Sequence, residues 1–184
     1  MAIALIILLI TTTIYAQGTD PIAATKEALK SKNYISMQKH AQTVIDDYPD
    51  WFWGYHWKGR ALLGQKKYQE AVKAFTLSLD SAENADETFM SKYFIVDSNY
   101  KNKDYKNCLK AITSAMRTKK SKYFKVKKSA LETRKGFCHF NLGQHSEAVQ
   151  AFKPVLDSGK ASEQVLKAAG QSYFNLGENE KAIS

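Results

Sequence analysis

From Trp51 to Asp80 the chain reads WFWGYHWKGRALLGQKKYQEAVKAFTLSLD, two apolar periodicities separated by a polar break at Gly64–Lys67. Trp57, Ala61 and Leu62 fall on one face of the first segment. Tyr68, Ala71, Val72, Phe75 and Leu79 share a face of the second, at the i, i+3, i+4, i+7 spacing of an amphipathic helix. A single helical hairpin of this size cannot bury both of its faces, so it has to stack on copies of itself.

The copies are present. Aligned on Tyr68 and the small residue Ala71, the pattern returns at Tyr34/Met37, Tyr105/Cys108, His145/Ala148 and Asn179/Ala182. The steps between first members are 34, 37, 40 and 34 residues. Large apolar residues follow at Phe75, Ile112 and Phe152, with Ala41 in the first copy. Ahead of the break, Gly59, Gly136 and Gly170 recur at one offset, and Val96 takes that place in the third copy. Glycine inside a helix costs about 1 kcal/mol relative to alanine, so its recurrence predicts close approach between helices.

These residues resemble the tetratricopeptide repeat, a 34-residue unit of two antiparallel helices. The second copy carries the likeness through Gly59, Tyr68, Ala71 and Phe75, the fourth and fifth through KGFCHFNLGQHSEAVQAF and KAAGQSYFNLGENEKAI. The third is the weakest, with Val96 for glycine and Cys108 for alanine. The resemblance implies an all-α fold over residues 18–184, a right-handed solenoid of about four complete helix pairs and a truncated fifth. It also implies that Ser184, early in the second helix of that fifth unit, is followed by more chain in the full protein.

Local signals place the elements. Asp20-Pro21 supplies an N-cap and a first-turn proline, and Asp46-Asp47-Tyr48-Pro49 closes the first hairpin. The third hairpin is expected over Glu87–Thr118. Six extra residues then fall around Thr118–Lys128, as a loop or as added helical turns at an exposed edge. Pro154 predicts a kink near Lys153 or a helix that stops short.

Charge changes the picture only locally. The net charge is +9, yet Asp20–Ala85 holds nine basic against eight acidic residues and Gly136–Ser184 four against five. Asp86–Lys135 holds 14 against five, densest at Arg117, Lys119, Lys120, Lys122, Lys125, Lys127 and Lys128. With Tyr123, Phe124 and Val126 interleaved, this cluster could meet phosphates and bases or an anionic lipid surface, against the plainer reading of a solvated helix edge.

Met1–Ala16 (MAIALIILLITTTIYA) stands apart from the repeats. It reads as a signal peptide or N-terminal hydrophobic segment, short of the roughly 20 apolar residues a membrane span needs. No Lys or Arg precedes its apolar run, and Ile14 is large for a cleavage site. The expectation is export, with a periplasmic or envelope location, or a cytoplasmic one if the segment is not a signal. Export makes nucleic acid the less favoured partner of the basic cluster and leaves peripheral contact with an anionic membrane surface open.

No catalytic constellation is legible. Gly54–Ala61 mimics the glycine spacing of a phosphate loop but lacks its Lys-Ser/Thr and lies in a helical pattern. His40, His56, His139 and His145 have no metal-ligand spacing and read as surface or half-buried helix residues. Cys108 and Cys138 form no metal or redox motif; a disulfide between them is allowed on export, and two small core residues is the simpler reading. The expectation is therefore no enzyme, no cofactor and no metal in these residues, the alternative being that they form the repeat domain of a larger enzyme or sensor.

A binding surface remains. By the resemblance, the first helix of each pair lines a concave face. The ligand-facing positions then map to Trp53, His56 and Arg60; to Tyr93, Asp97 and Tyr100; to Thr133, Phe137, Phe140 and Asn141; and to Lys167, Gln171 and Phe174. Aromatics with a few charges suit a protein or peptide partner, although Tyr100, Phe140 and Phe174 occupy a position that is commonly aromatic for packing. Ile22 and Lys26 stand where a carboxylate clamp would need lysine and asparagine, so an adaptor for chaperone tails is not expected.

Overall fold

Each apolar face read from the sequence is half of a buried layer whose other half comes from a neighbouring helix. The computed structural model describes residues 20–178; Met1–Ala16 and the Asn179/Ala182 pair lie outside the described residues. Nine helices are present among them: α1 (Pro21–Lys30), α2 (Tyr34–Asp47), α3 (Phe52–Gly64), α4 (Tyr68–Asp80), α5 (Ala85–Lys101), α6 (Tyr105–Met116), α7 (Lys122–Asn141), α8 (His145–Asp157) and α9 (Glu163–Asn175). The described residues contain no strand.

Capping chemistry sets where the helices begin. The Asp20 carboxylate accepts from the Ile22 amide at 2.9 Å, with Pro21 in the first turn of α1. Asn33 and Asp104 cap α2 and α6 in the same way, each at 3.1 Å. The turn inside each pair passes through one left-handed residue, Lys32, Lys66, Lys103 or Gly143, and Gly177 follows α9 with the same sign of φ. These residues keep the spacing of the repeat itself, so one turn geometry recurs with or without glycine.

The core is a chain of four clusters, each built by three consecutive helices. Met37, Ala41, Val44, Trp57 and Ala61 join α1–α3, and Leu62, Ala71 and Phe75 with Phe94 join α3–α5. Phe89, Val96, Cys108, Ile112, Leu131 and Cys138 join α5–α7, and Ala148, Phe152, Val165 and Ala169 with Phe137 join α7–α9. A pair is thus completed by the first helix of the next one, the arrangement that makes a solenoid continuous. Two of the three predicted close approaches are seen: a Cβ at Gly59 would stand 2.7 Å from the Phe75 ring, and one at Gly136 would collide with Phe152.

The odd-numbered helices also touch one another, α3 with α5, α5 with α7 and α7 with α9. They form the tighter, inner layer, and the even-numbered helices the outer one. The extra residues before the fourth pair are helix rather than loop, giving α7 20 residues against 13 in α3. Ser121 caps α7, and the Asp86 carboxylate on α5 accepts from Ser121 Oγ, Lys122 N and Lys122 Nζ, each at 2.9 Å. Pro154 does not shorten α8, which runs on to Asp157 and equals α4 at 13 residues. The carbonyl it deprives of a partner belongs to exposed Gln150, where water can replace the lost amide.

Candidate functional site

The inner face between α3 and α7 carries a cluster of cations on aromatic rings, and α5 is its centre. The i, i+4, i+7 spacing of Tyr93, Asp97 and Tyr100 puts all three on one stripe of α5, each half-buried. Cations from both neighbours settle on the aromatics. The Arg60 guanidinium of α3 lies 5.5 Å from the Phe94 ring centroid, Lys127 Nζ of α7 5.4 Å from Tyr93, and Arg134 of α7 5.1 Å from Tyr100. Such contacts are worth about 0.5–2 kcal/mol, more as water is excluded.

Asp97 is the carboxylate at the middle of this stripe. It accepts from Arg134 Nη1 at 2.5 Å and pairs with Lys101 Nζ at 3.0 Å, its side chain only 14% exposed. Arg134 and Asp97 therefore neutralise one another. Arg60 and Lys127 have no carboxylate partner among the described residues. Burial works against the charged form of Arg60, whose pKa is lowered from its ordinary value. A partly desolvated guanidinium without a counter-ion favours an anion brought from outside.

His56 does not face solvent. It is 1% exposed, stacked on Phe52 at 5.1 Å and edge-on to Phe75 and Phe94 at 5.6 and 5.2 Å, and its Nδ1 has no hydrogen-bond partner. Burial, then the Arg60 charge, push its pKa down to about 3. It is a neutral core residue, neither a ligand contact nor a surface histidine, because Phe94 of the next pair closes over the position that α3 alone would leave open.

The other expected groove residues divide. Trp53 is half-buried against Phe52, His56 and Trp57 at 5.2–5.7 Å. Phe137 packs edge-on to Phe152 at 5.1 Å and Phe140 meets His145 at 6.0 Å, so both rings serve the fourth pair's packing. Thr133 is half-buried beside them. Asn141 is exposed and donates to the Phe137 carbonyl at 2.7 Å. On α9, Lys167 pairs with Glu163 at 2.6 Å and Gln171 donates to Asn175 at 3.2 Å, both exposed, with Phe174 62% exposed beyond them. The structure brings together Arg60, Tyr93, Asp97 and Tyr100, and leaves the α9 residues apart from them.

In the basic cluster Arg117, Lys119, Lys120, Lys122, Lys125 and Lys128 are exposed, as expected of an added edge. Lys122 is held by Asp86 and Lys128 pairs with Glu132 at 3.6 Å. Phe124 packs edge-on to Phe89 at 6.2 Å, whereas Tyr123 and Val126 stay exposed. Lys127 turns onto the Tyr93 ring and joins the α5 stripe. In the sequence Lys127 belongs to the cluster alone, and Phe94 and Arg134 carry no mark of the site by themselves. The available signal was the spacing of Lys127, Arg134 and Asn141, seven residues apart on one helix.

Among the described residues no group of three or more His, Cys, Asp or Glu side chains could hold a metal ion, and no helix is long and apolar enough to cross a membrane. A hollow of about 590 Å³ lined by Ile22, Tyr48, Pro49 and Trp51 lies at the ends of the first helices, away from the α5 stripe.

Residues 54–85 match the tetratricopeptide repeat family, a span that takes in most of α3 and all of α4. No curated protein matches the chain in sequence. Among solved structures, MamA from Desulfovibrio magneticus RS-1 superposes with a TM-score of 0.75 at 16% identity, over 91% of this chain and 92% of that one. YrrB, a TPR protein with an unusual peptide-binding site, gives 0.71 at 18% identity, over 94% and 86%. The Naa15/Naa10 complex bound to HypK-THB gives 0.55 at 18% identity, over 88% of this chain and 23% of that one. The likeness runs through the whole described solenoid and concerns its fold.

Proposed function

We propose that this tetratricopeptide-repeat protein is a non-catalytic scaffold that holds an extended, acidic segment of a partner protein against the inner face of α3, α5 and α7. The observation that carries the reading is the pair of cations without counter-ions, Arg60 and Lys127, each resting on an aromatic ring of α5. Rings with cations across their faces offer apolar contact to a peptide backbone while the charges wait for carboxylates. Asp97 is already satisfied by Arg134 and Lys101, so it repels the segment little and orients Arg134 over Tyr100. YrrB supplies a fold-level precedent for peptide binding on such a scaffold. The leader-like Met1–Ala16 supports work in the cell envelope.

Selection of a random 12-residue peptide library on the purified protein tests this. Binders should be enriched in Asp and Glu, and Arg60→Ala or Lys127→Ala should weaken them about tenfold or more, as expected for loss of a charge-assisted contact. Charge-neutral binders, or binders indifferent to both substitutions, would refute the reading.

A further inference from the structure

We propose that Cys108 and Cys138 are the two halves of an intramolecular disulfide that ties the third helix pair to the fourth. Their sulfurs lie 2.9 Å apart, on α6 and α7, and both side chains are fully buried as free thiols. Two non-bonded sulfurs rest further apart than this, and a covalent bond needs them closer by only about 0.9 Å.

The repeat explains the juxtaposition. Cys108 occupies the register held by Met37, Ala71 and Ala148 in the other pairs. Cys138 occupies the register held by Ala61, Ser98 and Ser172, and all eight residues are fully buried. The solenoid therefore brings the same two positions to each junction between successive pairs, and one junction carries cysteine at both. The third copy is also the one that departs from the pattern, with Val96 in the glycine position and its carbonyl 3.8 Å from Cys108 Sγ. The ring closed by the bond, residues 108–138, contains the whole basic cluster. Tyr100, which carries Arg134 on its face, packs against the same buried cluster. The bond would fasten α7 beneath the charged node of the groove.

The oxidant is a disulfide, either a small molecule or the active disulfide of a thiol–disulfide oxidoreductase. One cysteine loses its proton and its thiolate attacks that disulfide, forming a mixed disulfide and expelling one thiolate, which takes up the proton. The second cysteine, deprotonated in turn, attacks the protein-bound sulfur and expels the second thiolate, which takes up the second proton. Two electrons pass to the oxidising disulfide, which leaves as two thiols, and the protein loses two hydrogens. Hydrogen bonding to Cys138 and burial both raise the pKa of Cys108, so exchange is slow and waits on local opening of α6 from α7.

The full chain is incubated with oxidised glutathione and then alkylated under denaturing conditions. Loss of two hydrogens in the intact mass, a linked peptide pair containing Cys108 and Cys138, and a melting temperature raised by roughly 5–10 °C and restored by reductant are expected. Cys108→Ala and Cys138→Ser place residues that other junctions already tolerate, so both should fold, and neither should show the rise. Recovery of two free thiols, a stable glutathione adduct, or a dimer in place of the internal link would overturn the proposal.

Discussion

Lowering the pH from 7.5 to 5 will weaken the fold through His56 before the bulk of the carboxylates titrate. Its ring is neutral in the native state, with a pKa near 3 against 6.5 for the ordinary side chain. Between those values the unfolded chain binds a proton that the folded chain refuses. Stability from this site is complete above about pH 6.5 and falls as the pH drops toward 3. At pH 5 the loss is about 2 kcal/mol, with a ceiling near 5 kcal/mol at lower pH. The cause is geometric: the ring is enclosed by Phe52, Phe75 and Phe94, with Arg60 one turn away. His56→Phe keeps a ring in that enclosure and removes the proton site. Urea unfolding of both proteins at pH 7.5 and 5.0 isolates the term, because every other titrating group is shared. The variant should lose about 2 kcal/mol less than the parent over this range. Equal losses in the two proteins would show that His56 is solvated or protonated in the native state, and would refute its burial as a neutral ring.

Gly59→Ala should lower the melting temperature although alanine favours helix: its Cβ would stand 2.7 Å from a Phe75 ring that has no free space, and overpacking at about 1–3 kcal/mol exceeds the roughly 1 kcal/mol propensity gain. A rise on thermal denaturation would contradict it. Lys66→Gly and Lys103→Gly, at φ 63° and 60°, should each stabilise by about 0.5–1 kcal/mol in chemical denaturation, since Gly143 already serves the same turn. Asp86→Asn should speed amide exchange over the first turn of α7 at neutral pH. The Asp86 pKa is lowered chiefly by the hydrogen bond from Lys122, so its contribution is present above the ordinary carboxylate pKa and lost as the pH falls through the lowered one. Acid should therefore reproduce the substitution's loss of protection, read as exchange relative to the intrinsic rate at each pH, and unchanged protection in the variant would count against the anchoring role. Phe152→Ala should cost about 3–5 kcal/mol, read from urea unfolding, because the ring is fully buried against Phe137 and the Gly136 backbone.

Residues close in sequence determine much of this molecule by themselves. The helical period of Tyr68, Ala71, Phe75 and Leu79, the caps at Asp20 and Asp104, and the return of one pattern at near-constant spacing specify helix pairs that stack. Gly59 and Gly136 foretold close approach because a missing side chain has one packing use inside a helix. The site was legible only where one helix makes it: Tyr93, Asp97 and Tyr100 share a stripe whatever surrounds α5.

What surrounds α5 belongs to the tertiary structure. His56 reads like its groove-facing counterparts until Phe94 of the following pair covers it. Lys127 and Arg134 reach Tyr93 and Tyr100 because α7 is longer than a standard first helix and lies beside α5 in one particular register. Cys108 and Cys138 meet because each junction sets the same two positions against each other. Periodicity along one helix says which face is buried; only the rotation and shift between helices say which side chain stands opposite, and those depend on all the contacts of the stack at once.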